Sequence, residues 1–226
     1  GGIAVNSLGH GVPEIVGAIA QQTAKLIHGS NLYHTTPHVL LAQLLVEHAF
    51  PSKIFFCNSG SESIEAALKF TRKWAFGIGG EDKHEIISFE HSFHGRTYGA
   101  ISATAQPKYH EGFKPMVPGM VYLPFNDIDA LDQAVSKERT ATVIIEPVQG
   151  EGGVNTVQGE FLKHLRMLCD ERQVALIFDE IQCGLCRTGK FFAYQHHGIE
   201  PDVMTLAKPL AGGLPIGAVM MKPHIA

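Results

Sequence analysis

Short apolar runs recur along this chain, each followed by residues with a helical period, and that alternation leaves few folds open. Lys53-Ile54-Phe55-Phe56-Cys57 reads as a buried strand, and Ile64, Ala67, Leu68, Trp74 and Ala75 carry the helical period immediately after it. Further runs at Glu85 to Phe89, Met120 to Leu123, Ala141 to Ile145, Val174 to Phe178, Val203 to Leu206 and Gly217 to Met221 bring the strands to seven. Amphipathic helices are expected between them at about Asp127 to Ser136, from Ile128, Leu131 and Val135, and at about Gly159 to Arg172, from Phe161, Leu165 and Leu168. Ahead of the first strand, Val12, Ile15, Val16, Ile19, Leu26 and Ile27 share one helical face behind Pro13, and Val39, Leu40, Leu44 and Leu45 suggest a second helix. Strands interleaved with helices imply the α/β class: a mostly parallel seven-stranded sheet flanked by helices on both faces.

Composition removes several classes of function. With 226 residues a core forms without disulfide or metal staples, and 45% hydrophobic against 18% charged residues excludes a disordered chain. A net charge of -4 gives no electrostatic footprint for nucleic acid or an anionic membrane. No apolar stretch approaches the roughly 18 residues of a spanning helix, so a soluble protein is expected. Cys57, Cys169, Cys183 and Cys186 do not read as a disulfide framework, which favours a reducing compartment. The chain opens on Gly1-Gly2-Ile3 with no signal-peptide pattern, and is expected to be a fragment or a processed form. No internal repeat or linker divides it.

In an open α/β sheet ligands sit beyond the carboxyl ends of the strands, so the residues after each run are the candidates. Glycines cluster there, at Asn58 to Ser61, Gln149 to Gly153, Cys183 to Gly189 and Ala211 to Gly217. They could be plain turns, or loops in which backbone amides approach a ligand closely. In Asn58-Ser59-Gly60-Ser61-Glu62, Ser59 and Glu62 have capping-box spacing, and a helix starting there offers free N–H groups and a positive dipole end to an anion. A capped helix alone would account for the same residues. Asp179 ends an apolar run, so it is expected to be half buried and to need a cation, a metal or several donors. Lys208 follows another run, where burial disfavours the charged amine and makes it a nucleophile and base; the alternative is a lysine that snorkels to water. An anion-binding helix start, an aspartate and a nucleophilic lysine are together what pyridoxal phosphate uses, through its phosphate, its pyridine nitrogen and its aldehyde.

At this point the motifs themselves carry a resemblance. Phe56 to Glu62 (FCNSGSE), Ser92 to Thr97 (SFHGRT), Glu146 to Gly153 (EPVQGEGG), Phe178 to Gln182 (FDEIQ) and Leu206 to Gly213 (LAKPLAGG), with Ser30-Asn31-Leu32-Tyr33 near the start, resemble the class III aminotransferases of pyridoxal-phosphate fold type I. Within that family the acetylornithine branch of arginine biosynthesis is most similar. The resemblance implies that Lys208 holds the cofactor as a Schiff base, Asp179 pairs with the pyridinium and Gln182 bonds the ring's phenolic oxygen. It assigns the phosphate to the backbone amides of Gly60 and Ser61, the ring face to Phe93, and a substrate carboxylate to the bidentate fork of Arg96. Glu151 looks like the family's gating carboxylate, whose arginine partner lies in a C-terminal part outside this chain.

The same resemblance implies transfer of the amino group of N-acetylornithine to 2-oxoglutarate; from charge, apolar-run length and the cysteine and histidine patterns, no nucleic-acid, membrane or metal partner is expected. It also implies a homodimer, whose neighbouring subunit supplies a threonine to the phosphate site. Ornithine and 4-aminobutyrate enzymes share these motifs and form the alternative. The expected organisation is an N-terminal segment at 1–29 leading into a large cofactor-binding domain at 30–226, with the small C-terminal domain absent. Bacterial relatives are cytoplasmic, and plant or fungal ones occupy plastids or mitochondria. Cys186 stands where the family usually has glycine, in Gly184-Leu185-Cys186-Arg187-Thr188-Gly189.

Rival motifs are weaker. Cys183-Gly184-Leu185-Cys186 has the spacing of a redox pair or half a zinc site, but no second such pair follows. Histidines such as His91, His94, His196 and His197 form no HExxH and read as loop residues. Gly184 to Lys190 spells the P-loop pattern, yet Phe191 stands where Ser or Thr must hold magnesium, and the segment follows the acidic strand instead of its own. A noncatalytic binding member of the same family is the third alternative.

Overall fold

A computed structural model describes residues 1–30 and 32–226; the Ser30 to Tyr33 motif is therefore described except for Asn31, which lies outside the described residues. The elements are α1 (Pro13–Thr23), α2 (Thr36–His48), β1 (Lys53–Cys57), α3 (Gly60–Gly79), β2 (Glu85–Phe89), α4 (Tyr98–Ala103), α5 (Pro107–His110), β3 (Met120–Leu123), α6 (Ile128–Ala134), β4 (Thr140–Ile145), β5 (Val148–Gln149), β6 (Asn155–Thr156), α7 (Gly159–Arg172), β7 (Ala175–Asp179), β8 (Val203–Leu206) and β9 (Gly217–Met221). Short 3-10 helices occupy Ala193–His196 and Lys208–Ala211.

Among the described residues the main sheet has seven strands, as the apolar runs predict, and their order is β1-β9-β8-β7-β4-β2-β3. Strands β2, β3, β4, β7 and β8 pair in parallel, while β9 runs antiparallel to both β8 and β1. Side chains alternate across the sheet because the strand period is two. Phe89, Val143, Leu176, Phe178 and Met204 meet Leu131 of α6 and Phe161, Leu165 and Leu168 of α7 on one face. Ile86, Ile144, Ile177, Val203 and Val219 meet Ile64, Ala67 and Leu68 of α3 and Ala100 and Ala103 of α4 on the other. Every residue of β4, β7, β8 and β9 is buried, and strands covered on both faces read as unbroken apolar runs. No helix among the described residues is long and apolar enough to cross a membrane.

Several expectations need correction. The run Lys53–Cys57 forms a strand, but at the sheet edge, where it pairs with β9 alone and leaves Phe55 37% exposed. Helix α1 stops at Thr23, so Leu26 and Ile27 do not extend its face, and it buries no residue. Of the apolar set that suggested α2, only Leu45 is buried. Strand β7 begins one residue later than expected and ends on Asp179, which makes that carboxylate the last residue of the strand. Helices α4 and α5 and the β5–β6 hairpin had no counterpart in the sequence pattern.

Candidate active site

Because β1 and β8 are both antiparallel to β9, β1 points the same way as the five parallel strands, and the carboxyl ends of six strands lie along one edge of the sheet. A cavity of about 370 Å³ opens there, where ligands of open α/β sheets bind. Gly60, Ser61, Phe93, Asp179, Gln182 and Lys208 all line it. Arg96 and Glu151 do not line it and stand further out.

The start of α3 is built by local bonds. The Ser59 hydroxyl accepts the Glu62 N–H at 3.1 Å, as the capping box predicts. The Glu62 carboxylate, however, returns to the N–H and side-chain amide of Asn58, at 2.7 and 2.9 Å, one residue earlier than the usual box. Gly60 and Ser61 thus occupy the first helical positions, whose N–H groups have no intrahelical acceptor. A Cβ on Gly60 would lie 3.1 Å from Ile181 Cγ2, so a side chain there would crowd the cradle. The Ser63 hydroxyl donates to the Leu206 carbonyl at 3.1 Å, which ties this helix start to the end of β8, just before Lys208.

Asp179 is 4% exposed and finds the several donors its burial requires. His94 Nδ1 lies 2.7 Å from Oδ2, and Oδ1 accepts the Thr205 hydroxyl and the Ile181 N–H, each at 3.1 Å. A bond to a carboxylate places the proton on His94 Nδ1; Nε2 is buried with no partner among the described residues. Lys208 is half-buried, and burial lowers its pKa below the ordinary 10.5 while the carboxylates of Asp179, Glu151 and Glu146 oppose the shift. Its backbone sits at φ 24, in a region L-residues rarely adopt, just where β8 gives way to a 3-10 helix. Glu146, buried beside them, accepts the Phe93 N–H at 3.0 Å, and burial first and Asp179 second raise its carboxyl well above the ordinary range.

Glycine has a steric purpose next to Gln182: a Cβ on Gly150 would lie 1.4 Å from Gln182 Oε1. The glycine-rich turn therefore makes room for that amide. Phe93 packs edge-on against Tyr109, ring centroids 5.5 Å apart, and the Arg96 guanidinium lies 5.8 Å from the centroid of the same Tyr109 ring. Glu151 is exposed on the glycine turn, yet its charge still reaches Lys208 and Glu146.

The rival motifs take other forms. Cys183 is buried and Cys186 exposed, all four cysteines are free, and no metal-ligating group of side chains forms among the described residues. Gly184 to Lys190 is a run of turns leading to a 3-10 helix instead of a phosphate-binding α-helix, and Phe191 stacks on His48 with ring centroids 4.3 Å apart. Leu185 and Cys186 take φ of 51 and 66, which supplies the physical reason for the glycine usually found at the second position.

The model of the family described as aminotransferase class-III matches residues 1–226. The chain belongs to the class III aminotransferases. It is 52% identical over 225 residues to the acetylornithine aminotransferase of Methanocaldococcus jannaschii, covering 100% of this chain and 56% of that protein. It is 50% identical over 226 residues to the succinylornithine transaminase of Photorhabdus laumondii, again 100% of this chain and 56% of that one. The ornithine aminotransferase of Toxoplasma gondii, reported with partial occupancy of PLP at its active site, superposes with a TM-score of 0.93 at 33% identity, over 99% of this chain and 54% of its own. The class III chain thus spans a little over half the length of these relatives.

Four residues of this class III site escaped assignment from the sequence: His94, Glu146, Ile181 and Thr205. His94, Glu146 and Ile181 line the cavity, and Thr205 bonds Asp179. Glu146 directly follows a strand, and the strand-end rule alone would have singled it out. Thr205 lies inside β8 opposite Asp179, a register that no local pattern reveals.

Proposed function

We propose that this class III chain is the cofactor-binding part of an aminotransferase that takes the amino group of N-acetylornithine and passes it to 2-oxoglutarate, in arginine biosynthesis. Residues 30–226 form its large domain and 1–29 lead into it. The observation that carries this reading is the convergence of Lys208, Asp179 and the first amides of α3 on one cavity. Those residues fit pyridoxal phosphate. Two N–H groups free of intrahelical acceptors suit a phosphate, a buried carboxylate with fixed donors suits a cationic ring nitrogen, and an amine depressed by burial suits an aldehyde. When bound, pyridoxal phosphate supplies an aldehyde for primary amines and an electron-withdrawing ring.

This chain's residues do the rest. Asp179, oriented by His94 and Thr205, holds the negative charge that keeps the ring nitrogen protonated. Gln182 donates its side-chain amide to the phenolic oxygen, in space that Gly150 leaves open. Phe93 flanks the ring, and Arg96 takes a substrate carboxylate as a fork. Lys208 Nζ would take the proton from the carbon that bears the reacting amine, the terminal carbon of N-acetylornithine, a task suited to an amine whose charged form burial disfavours. Glu151 pairs with an arginine when the second substrate's far carboxylate is absent. The full protein is a homodimer.

The acylated donor is favoured because the relatives named for acetylornithine and succinylornithine are 50 to 52% identical, against 33% for the ornithine enzyme. Borohydride reduction of the full-length protein loaded with pyridoxal phosphate, followed by peptide mapping, is expected to label Lys208. A label elsewhere, or none, overturns the cofactor reading. A panel of amino donors tests the narrower part: N-acetylornithine should exceed ornithine and 4-aminobutyrate by about tenfold or more in kcat/KM. Preference for either competitor shifts the assignment to another class III ω-aminotransferase.

A further inference from the structure

The segment that carries Phe93, His94 and Arg96 is fastened at several points, and one of them is a carboxylate that does not line the cavity. Helix α4 begins behind Thr97, whose hydroxyl does not cap its own helix, and its first turn contains no acidic residue. Glu65 of α3 supplies both functions. Its Oε1 accepts the Thr97 hydroxyl at 2.6 Å, the Gly99 N–H at 2.8 Å and the Ala100 N–H at 3.2 Å. A Cβ at position 99 would lie 2.3 Å from Glu65 Oε2, so glycine is what lets the carboxylate approach.

Glu65 stands one helical turn after Ser61, on the same face of α3. Ser61 contributes an amide to the anion cradle, and its hydroxyl accepts the Arg96 N–H at 3.3 Å. Gly95, at φ +127, passes so close that a Cβ would fall 2.5 Å from that hydroxyl oxygen. The two turns of α3 that present the cradle therefore also hold the backbone on both sides of Arg96. A bidentate fork depends steeply on placement, and a displacement near 1 Å can cost about 100-fold.

We propose that Glu65 is a positioning residue for Arg96: by bonding Thr97 and the start of α4 it fixes the distance between the phosphate cradle and the carboxylate clamp. The inference rests on the reading of Arg96 as that clamp. Glu65 touches no ligand in this account and acts only through the backbone it holds.

The test uses the full-length enzyme loaded with pyridoxal phosphate and glutarate, a dicarboxylate that cannot react, with binding read from the absorbance of the bound cofactor. Glu65→Ala is expected to weaken glutarate about tenfold and to raise the KM for 2-oxoglutarate similarly, with kcat and cofactor affinity within about twofold. Glu65→Gln keeps one acceptor oxygen and should lose less. Glu65→Ala should add nothing to Arg96→Ala, because the two act on one contact. If Glu65→Ala does not fold, Thr97→Val, which keeps the side-chain shape and removes the donor, reads the same bond. Glutarate affinity unchanged in these variants while Arg96→Ala loses tenfold overturns the positioning role and leaves the clamp standing. Equal losses of cofactor and glutarate affinity also overturn it, since they mark a structural cap. Normal glutarate binding in Arg96→Ala overturns the clamp itself, and the role of Glu65 with it.

Discussion

Helices α1 and α3 both place apolar residues at helical spacing, yet α3 buries Ser63, Ile64, Ala67, Leu68, Thr71 and Ala75 while α1 buries nothing. The difference lies in what surrounds them. Helix α3 leaves β1 through two residues and a side-chain cap, so its apolar side is delivered onto the sheet. Helices α1 and α2 precede the first strand, and much of their apolar surface stays in the open, with Val16 56% and Leu44 53% exposed, although α2 buries Leu45. Periodicity specifies a helix with an apolar side; it does not specify what meets that side. Burial depends on chain connectivity and on partners remote in sequence.

The contrast predicts a graded set of outcomes, largest at the sheet edge. Lys208→Ala in the full-length enzyme should lower turnover at least about 1000-fold, roughly 4 kcal/mol of transition-state stabilisation. Retention of more than a few per cent of activity would place the proton transfer elsewhere. The next effect compares the helices directly. Ile64→Ala removes a fully buried side chain of α3 and should cost about 2 to 5 kcal/mol, whereas Val16→Ala on α1 should stay within about 0.5 kcal/mol. Urea unfolding of the 226-residue chain measures both, and comparable costs would break the contrast.

Legibility in the sequence follows the same division. The ranges of β2, β8, β9 and α7 match their apolar patterns, because buried strands and a four-turn helix leave a long local signature, and the edge strand β3 matches its shorter run as well. Helix α4 left none: it has six residues, fewer than two turns, and its cap comes from Glu65, 32 residues before Thr97. At the site, Gly60, Ser61, Asp179 and Lys208 were legible because each ends or follows an apolar run, and the cavity gathers them with Phe93 and Gln182, which the resemblance named. Arg96 and Glu151 were named through resemblance, and they stand outside the cavity. The bonds around Asp179 were not legible, since His94 is 85 residues away and Thr205 is set by strand register.

Burial at this edge also carries a pH dependence that α1 has no means to share. Glu180 accepts the Ala193 and Tyr194 N–H groups at 2.7 Å each, which favours the ionised form, but burial prevails and lifts its pKa from 4.5 to about 7. Between those values the folded chain keeps a proton that the unfolded chain has released. The contribution is therefore complete below pH 4.5 and is lost as pH rises through 7, up to about 3 kcal/mol. Glu180→Gln, neutral throughout and still able to accept an N–H, should flatten the stability profile between about pH 5 and 8 by about 1 to 3 kcal/mol. Urea midpoints at the two ends of that range decide it: an unchanged slope would mean that Glu180 is ionised in the folded chain.

The smallest effect isolates backbone from burial. Cys186 is exposed and holds φ 66, so its side chain gains little from packing while its backbone occupies the left-handed region. That conformation costs a non-glycine residue about 1 to 2 kcal/mol, and glycine recovers it at the expense of a more flexible unfolded chain. Cys186→Gly should therefore stabilise by about 0.5 to 1 kcal/mol, a rise in Tm of about 1 to 4 °C for a chain of this size. Cys186→Ala is the control, because it removes the sulfur and keeps the Cβ. Equal gains from alanine and glycine would trace the effect to the thiol. A gain from glycine alone would show that this turn was shaped for a residue without a Cβ, as the left-handed φ of Cys186 implies.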